Sequence, residues 1–138
     1  MDSSIPFWGV ILATLSSFII GSIWYSPATF LKPWQKMTGT SDADMKKNFG
    51  SSMVWIGVSS LVTAYVLAHF IRYTEHVTYT TGVTAGVETA LWIWLGIGLT
   101  TIVTAGAMES RDKMVMAITA GNRLVTLLVM GLIIGAFM

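Results

Sequence analysis

The sequence lacks cysteine and is poor in charged residues. Because no cysteine occurs in its 138 residues, disulfide bonds, thiolate catalysis and cysteine-ligated metals are excluded. Charged side chains make up 11% of the chain, against roughly 25% in soluble domains. The net charge is only +1 and no basic cluster is present, so nucleic acid is not a predicted partner. This composition does not predict a soluble globular protein.

Residues that usually carry catalysis are also scarce. The chain has two histidines, and neither an HExxH motif nor another dense set of metal ligands occurs. A Ser-His-Asp arrangement and a nucleophile elbow are likewise missing. We therefore predict that the protein is not an enzyme and that it needs neither a metal nor a cofactor.

Apolar residues, in contrast, are abundant and fall into long runs. They make up 54% of the chain, and a bilayer's hydrocarbon core is crossed by a helix of about 20 predominantly apolar residues. Runs of this kind cover residues 6–25, 53–72, 83–107 and 114–137. The sequence predicts an all-α integral membrane four-helix bundle, which forms a single domain over residues 1–138.

The longest connection lies between the first two spans. Trp and Tyr favour the membrane interface, so Trp24 and Tyr25 indicate the end of the first span. Ser41 followed three residues later by Asp44 resembles a capping box. We predict a short cytoplasmic surface helix over 42–49, with a plain solvated loop as the alternative.

The orientation is predicted from the distribution of Lys and Arg. Six such residues lie in the first and third connections, against one, Arg72, on the opposite side. By the positive-inside rule, the first and third connections face the cytoplasm and both termini lie outside it. The six residues are Lys32, Lys36, Lys46, Lys47, Arg111 and Lys113.

Glu88 and Arg123 are the only charged residues well inside the apolar runs. A charge at the bilayer centre costs about 2.5–3.5 kcal/mol on insertion scales. From the helical rise, Glu88 and His69 lie about 30 and 25 Å from the cytoplasmic ends of their helices. We predict that Glu88, His69 and Trp92 form a site for a cation, an amine or a proton. Alternatively, Glu88 is a structural hydrogen-bonding group.

Arg123 lies about 15 Å from the cytoplasmic end of its helix, too far from Glu88 for a direct salt bridge. It is predicted to join a polar network of hydroxyl and amide groups at similar depth. Alternatively, Arg123 extends to the cytoplasmic surface and the hydroxyls bond to their own helices. The network candidates are Asn122, Thr100, Thr101 and Thr104.

Small residues spaced four apart indicate close helix packing, within a subunit or between subunits. The pairs are Gly82/Gly86, Gly131/Gly135 and Ala117/Gly121. Four helices are few to enclose a pathway, so we predict a homo-oligomer that provides a permeation or binding path for a small solute or proton. The alternative is an accessory or structural subunit that packs against a larger membrane complex.

Two short motifs resemble a known family. Trp24-Tyr25-Ser26-Pro27, with Trp34 shortly after, and the acidic-x-basic loop Glu109-Ser110-Arg111 are similar to the domain of unknown function seventeen-sixty-one. The resemblance implies a four-span protein of the bacterial plasma membrane and implies no activity. Glu109 and Arg111 gain weight as candidate functional residues from this match, and a salt-bridged hairpin turn is their alternative role.

Overall fold

A computed structural model describes residues 4–138, and within this range the chain is helical and contains no strand. Residues 1–3 of the predicted domain lie outside the described residues. The predicted all-α fold is confirmed, since four helical segments are long and apolar enough to cross a membrane. The elements are α1 (Phe7–Trp24), α2 (Leu31–Thr38), α3 (Asp42–Lys47), α4 (Phe49–Thr78), α5 (Gly82–Ile93), a π-helical segment (Trp94–Leu99), α6 (Thr100–Met108) and α7 (Lys113–Ala136).

The first connection contains two short helices where one was predicted. A helix is present in the predicted range as α3, which ends at Lys47 because Phe49 already belongs to α4, and its capping box forms between Ser41 and Asp44. Hydrogen bonds from the backbone and side chain of Ser41 hold the pKa of Asp44 below its ordinary value. The additional helix, α2, ends at Gly39, whose φ of 72° is a left-handed conformation that suits glycine.

The second span is longer than predicted at both ends. It was expected to cover residues 53–72, but α4 begins at Phe49 and continues to Thr78. The charged stretch after Ile71 ends the apolar run without ending the helix, because Arg72 and Glu75 form an ion pair one turn apart. Tyr79, with φ of 60°, then terminates α4.

Helices α5 and α7 touch backbone to backbone at their glycines. A Cβ atom built on Gly86 would lie 2.0 Å from the carbonyl oxygen of Gly131. One built on Gly135 would lie 2.4 Å from the carbonyl oxygen of Gly82. Two of the predicted small-residue pairs therefore face each other within one chain. The largest fully buried side chains of the bundle are Leu67, Ile71, Met130 and Ile134.

The third small-residue pair meets an aromatic side chain instead of a helix. The indole of Trp24 lies against Gly121, where an added Cβ would approach Trp24 Cζ2 to 2.9 Å. Ala117, its partner in the sequence pattern, is exposed. The glycine at position 121 thus allows the end of α1 to approach α7.

The third span is the least covered of the four. In the apolar 18-residue stretch of the span Gly82–Met108, only 6% of the residues are buried, against 22%, 28% and 33% in the corresponding stretches of the other spans. The coverage is concentrated in α5, where Ala85, Gly86, Thr89 and Ala90 are buried. The π-helical segment and most of α6 therefore expose their surface to the surroundings of the bundle.

Replacing Gly86 with Ala should destabilise the bundle, because the added methyl group would overlap the backbone of α7. We expect a loss of about 1–3 kcal/mol in unfolding free energy, the usual cost of overpacking. Gly21→Ala is the matched control, since a Cβ at Gly21 would meet nothing within 4 Å. Reversible unfolding in mixed detergent micelles measures both variants, and equal stability of the two would contradict the tight contact.

Candidate functional site

The aromatic residues at the end of α1 reach α7. Trp24 Nε1 donates a hydrogen bond of 3.0 Å to the carbonyl oxygen of Ile118. The turn that follows is closed by hydroxyl groups, since Ser26 Oγ donates to the carbonyl oxygen of Ile23 and Thr29 Oγ1 to that of Trp24. The motif Trp24-Tyr25-Ser26-Pro27 therefore forms a structured corner that fixes the end of α1 against α7.

Tyr25 occupies the centre of this corner. Its ring contacts that of Trp34 in α2, with 5.6 Å between the ring centroids. Burial raises the pKa of the Tyr25 phenol, while hydrogen bonding to Thr119 and Asn122 and the charge of Arg123 act in the opposite direction. The four side chains of Tyr25, Thr119, Asn122 and Arg123 are hereafter the Tyr25 cluster.

The side chain of Arg123 extends from α7 to the π-helical segment. A Cβ built on Gly98 would come within 3.5 Å of Arg123 Cγ, so the stem of the arginine passes over this glycine. Trp94, at the start of the π-helical segment, donates from Nε1 to the carbonyl oxygen of Ala120 at 2.9 Å. π-helical turns often occur at functional sites, and here the wider turn lies beside the exposed arginine.

The predicted polar network around Arg123 is only partly present. Thr100 and Thr101 donate to carbonyl oxygens of their own helix, Gly96 and Ile97. Thr104 lines an open groove of about 360 Å³ with these two threonines and Ala105. Asn122 does lie beside Arg123, but its partners are Thr126 at 3.5 Å and the hydroxyl of Tyr25.

The residues of the other predicted cluster, Glu88, His69 and Trp92, have separate surroundings. Glu88 accepts a hydrogen bond of 3.0 Å from Thr80 in the connection before α5. His69 instead pairs through Nδ1 with the carbonyl oxygen of Tyr65, one turn earlier in α4. Trp92 is 68% exposed. No hydrogen bond joins Glu88, His69 and Trp92 to one another within residues 4–138, and whether each takes part in a site stays a prediction.

A polar network that was not predicted closes the end of the bundle where α4 meets α5. Glu75 pairs with Arg72 at 3.3 Å through Oε2 and accepts a hydrogen bond from the backbone N–H of Gly82 at 2.8 Å through Oε1. Arg72 also donates to the carbonyl oxygen of Ser4. The sequence signal was the Arg72/Glu75 spacing of three residues, which places both side chains on one helix face.

The second family motif forms a hairpin cap. Glu109 and Arg111 form an exposed ion pair between α6 and α7. Asp112 caps α7 by accepting a hydrogen bond from the backbone N–H of Met114. Among residues 4–138, no three His, Asp or Glu side chains are grouped so that they could hold a metal ion.

The chain matches one protein-family model over nearly its full length. That family is described as a protein of unknown function (DUF1761), and the match covers residues 8–135. No curated protein and no solved structure matches the chain. The matched range includes both family motifs and the Tyr25 cluster.

Replacing Arg123 with Gln should raise the pKa of Tyr25 further, because the positive charge that favours the phenolate is removed. The tyrosinate absorbance is titrated in detergent solution, and the curve of the corresponding Tyr25→Phe variant is subtracted. Arg111→Gln serves as the control, since Arg111 pairs with Glu109 in the hairpin. If both arginine variants shift the titration equally, Arg123 is not the charge beside Tyr25.

Proposed function

We propose that this chain, which belongs to the protein family of unknown function DUF1761, acts as a membrane homo-oligomer that provides a path for a small solute or proton along its third spans. The observation that carries the proposal is the low coverage of Gly82–Met108, since only 6% of the residues in its apolar 18-residue stretch are buried. A second copy would cover this span.

The close contact of α5 with α7 supports a path between subunits rather than through one bundle. Gly86 and Gly131 meet at backbone distance, which leaves no room between these two helices. Helices α1 and α4 are also joined by the hydrogen bond between Ser17 and Ser60, 2.8 Å long. A polar path is therefore better placed on the uncovered surface of the third span.

That surface carries polar groups along its length. Glu88 and Trp92 lie one turn apart in α5, and the threonine groove lies in α6. Arg123 of α7 adjoins the π-helical segment between them. Hydroxyl and carboxylate groups are uncommon on lipid-facing surfaces, and ionisable residues within spans mark ion or proton pathways. The groove is formed by Thr100, Thr101, Thr104 and Ala105.

We also propose the orientation expected from the charges. The end of the bundle that holds α2, α3 and the α6–α7 hairpin, hereafter the α2–α3 end, faces the cytoplasm of a bacterial cell. Support comes from the positive-inside rule, because the lysines of the first connection and Lys113 lie at this end. Both chain termini then lie on the outside.

The accessory-subunit interpretation uses the same uncovered surface. A span of a larger complex could cover the third span as well as a second copy could, and the exposed apolar side chains Leu95, Ile97 and Val103 would suit either. The two proposals differ in the identity of the neighbouring chain. Cross-linking from a residue of this surface distinguishes them.

A cysteine in place of Thr101 should cross-link two copies of the chain in native membranes. The protein has no cysteine of its own, so any disulfide product reports the introduced residue alone. Val58→Cys on α4, 51% exposed, is the matched control on another helix. The expected result is a dimer-sized band for Thr101→Cys and none for Val58→Cys. A product with a foreign protein would instead support the accessory-subunit proposal.

Replacing Glu88 with Gln should remove most of the proton flux into proteoliposomes, since the amide keeps the size of the side chain but cannot carry a proton. An entrapped pH dye measures the flux under a potassium diffusion potential. Glu109→Gln is the control, because Glu109 lies in the exposed hairpin. Unchanged flux in a folded Glu88→Gln protein would contradict a role of this carboxylate in the path.

A further inference from the structure

We propose that the Tyr25 cluster is a binding site for a phosphate group, carried either by an anionic lipid or by a small soluble molecule. The cluster lies within one chain, where α1, α2, the π-helical segment and α7 meet. Arg123 also adjoins the proposed path between subunits, but a phosphate site within one chain does not require an oligomer.

The cluster offers hydrogen-bond donors around one cation. Arg123 is exposed and makes no hydrogen bond or ion pair within residues 4–138. Thr119 lies one turn before Arg123 in α7 and Asn122 lies next to it, and the hydrogen bond from Trp24 to Ile118 brings the neighbouring Tyr25 to this part of α7. A guanidinium group binds phosphate through paired N–H donors, and neighbouring hydroxyl and amide groups can add further donors. This donor set is complementary to a phosphate oxyanion.

Carboxylates of the chain do not compete for Arg123. Four acidic residues lie at the α2–α3 end, and each one is already engaged. Asp42 accepts from Gln35, and Asp44 accepts from Ser41. The other two are Glu109, paired with Arg111, and Asp112, which caps α7. The six Lys and Arg residues of the connections at the same end, together with Arg123, outnumber these four carboxylates and leave a positive field. An anion from outside the chain is the natural partner of Arg123.

The surrounding contacts hold the cluster in place before any ligand binds. Trp24 ties the end of α1 to Ile118, and Trp94 ties the π-helical segment to Ala120. Because Gly98 has no side chain, the aliphatic part of Arg123 can lie along the π-helical segment. Fixed neighbours reduce the entropy lost on binding. The geometry thus suits a defined ligand rather than loose attraction of ions.

The depth of Arg123 is compatible with both sources of phosphate. The hydrogen bond from Trp24 sets Ile118 level with the interfacial end of α1. Arg123 lies five residues further along α7, about 7 Å deeper at the helical rise. A long arginine side chain can span this depth to reach lipid headgroups or water.

The test measures binding of two defined probes to the intact protein in nanodiscs of phosphatidylcholine. One probe is phosphatidylglycerol, counted as retained lipid by native mass spectrometry. The other is inorganic phosphate, measured by calorimetry against chloride at equal ionic strength. Arg123→Gln should weaken the affinity for the probe that binds by about tenfold or more, as expected for loss of a charged hydrogen bond. Arg111→Gln, in the hairpin ion pair, should leave binding unchanged.

Each result supports or overturns the site. Loss of phosphatidylglycerol alone in Arg123→Gln identifies a lipid headgroup, whereas loss of phosphate binding alone identifies a soluble ligand. If neither probe depends on Arg123, or if Arg111→Gln weakens binding equally, the proposal is wrong. Should Arg123→Gln fail to fold, Asn122→Ala and Tyr25→Phe replace it, and each should weaken binding by several-fold. The cross-linking of Thr101→Cys is unaffected by these outcomes, so the two proposals can fail separately.

Discussion

The backbone contact between Gly86 of α5 and Gly131 of α7 is the constraint on which the rest of the bundle depends. In a bilayer, helices gain little from the hydrophobic effect, so close packing and hydrogen bonds must hold them together. The glycines bring the two backbones so close that a Cβ added to either one would overlap the other helix. Because α5 is held here, the π-helical segment that follows it lies beside α7 as well, and Trp94 can bond to Ala120.

The same contact explains why the third span is uncovered. Tight packing of α5 leaves α6 at the edge of the bundle, where Gly106 is its one buried residue. The other small-residue position, Gly121, is used to admit the indole of Trp24. Because these glycines make their close contacts within one chain, they do not support an oligomer.

The sequence predicted the spans well because run length and composition determine which segments can cross a bilayer. It also predicted the α3 cap, which depends on Ser41 and Asp44 alone. The Tyr25 cluster could not be predicted as a unit, since its members come from residues 25 and 119–123 and meet only through tertiary packing. Depth along a helix placed Glu88 level with His69 but did not fix the rotation of either helix. The structure gives them separate partners, Thr80 and Tyr65.

The two ends of the bundle differ in how their polar groups are satisfied. Where α4 meets α5, Glu75 serves both Arg72 and the backbone of Gly82, and Glu88 is bonded to Thr80. At the α2–α3 end, the carboxylates are engaged in caps and an exposed ion pair, and Arg123 is left without one. Satisfied networks stabilise a fold, whereas an uncompensated cation at a membrane interface attracts an external anion. The network of Arg72, Glu75 and Gly82 at the first end is therefore best understood as structural, whereas the α2–α3 end is where we propose that a ligand binds.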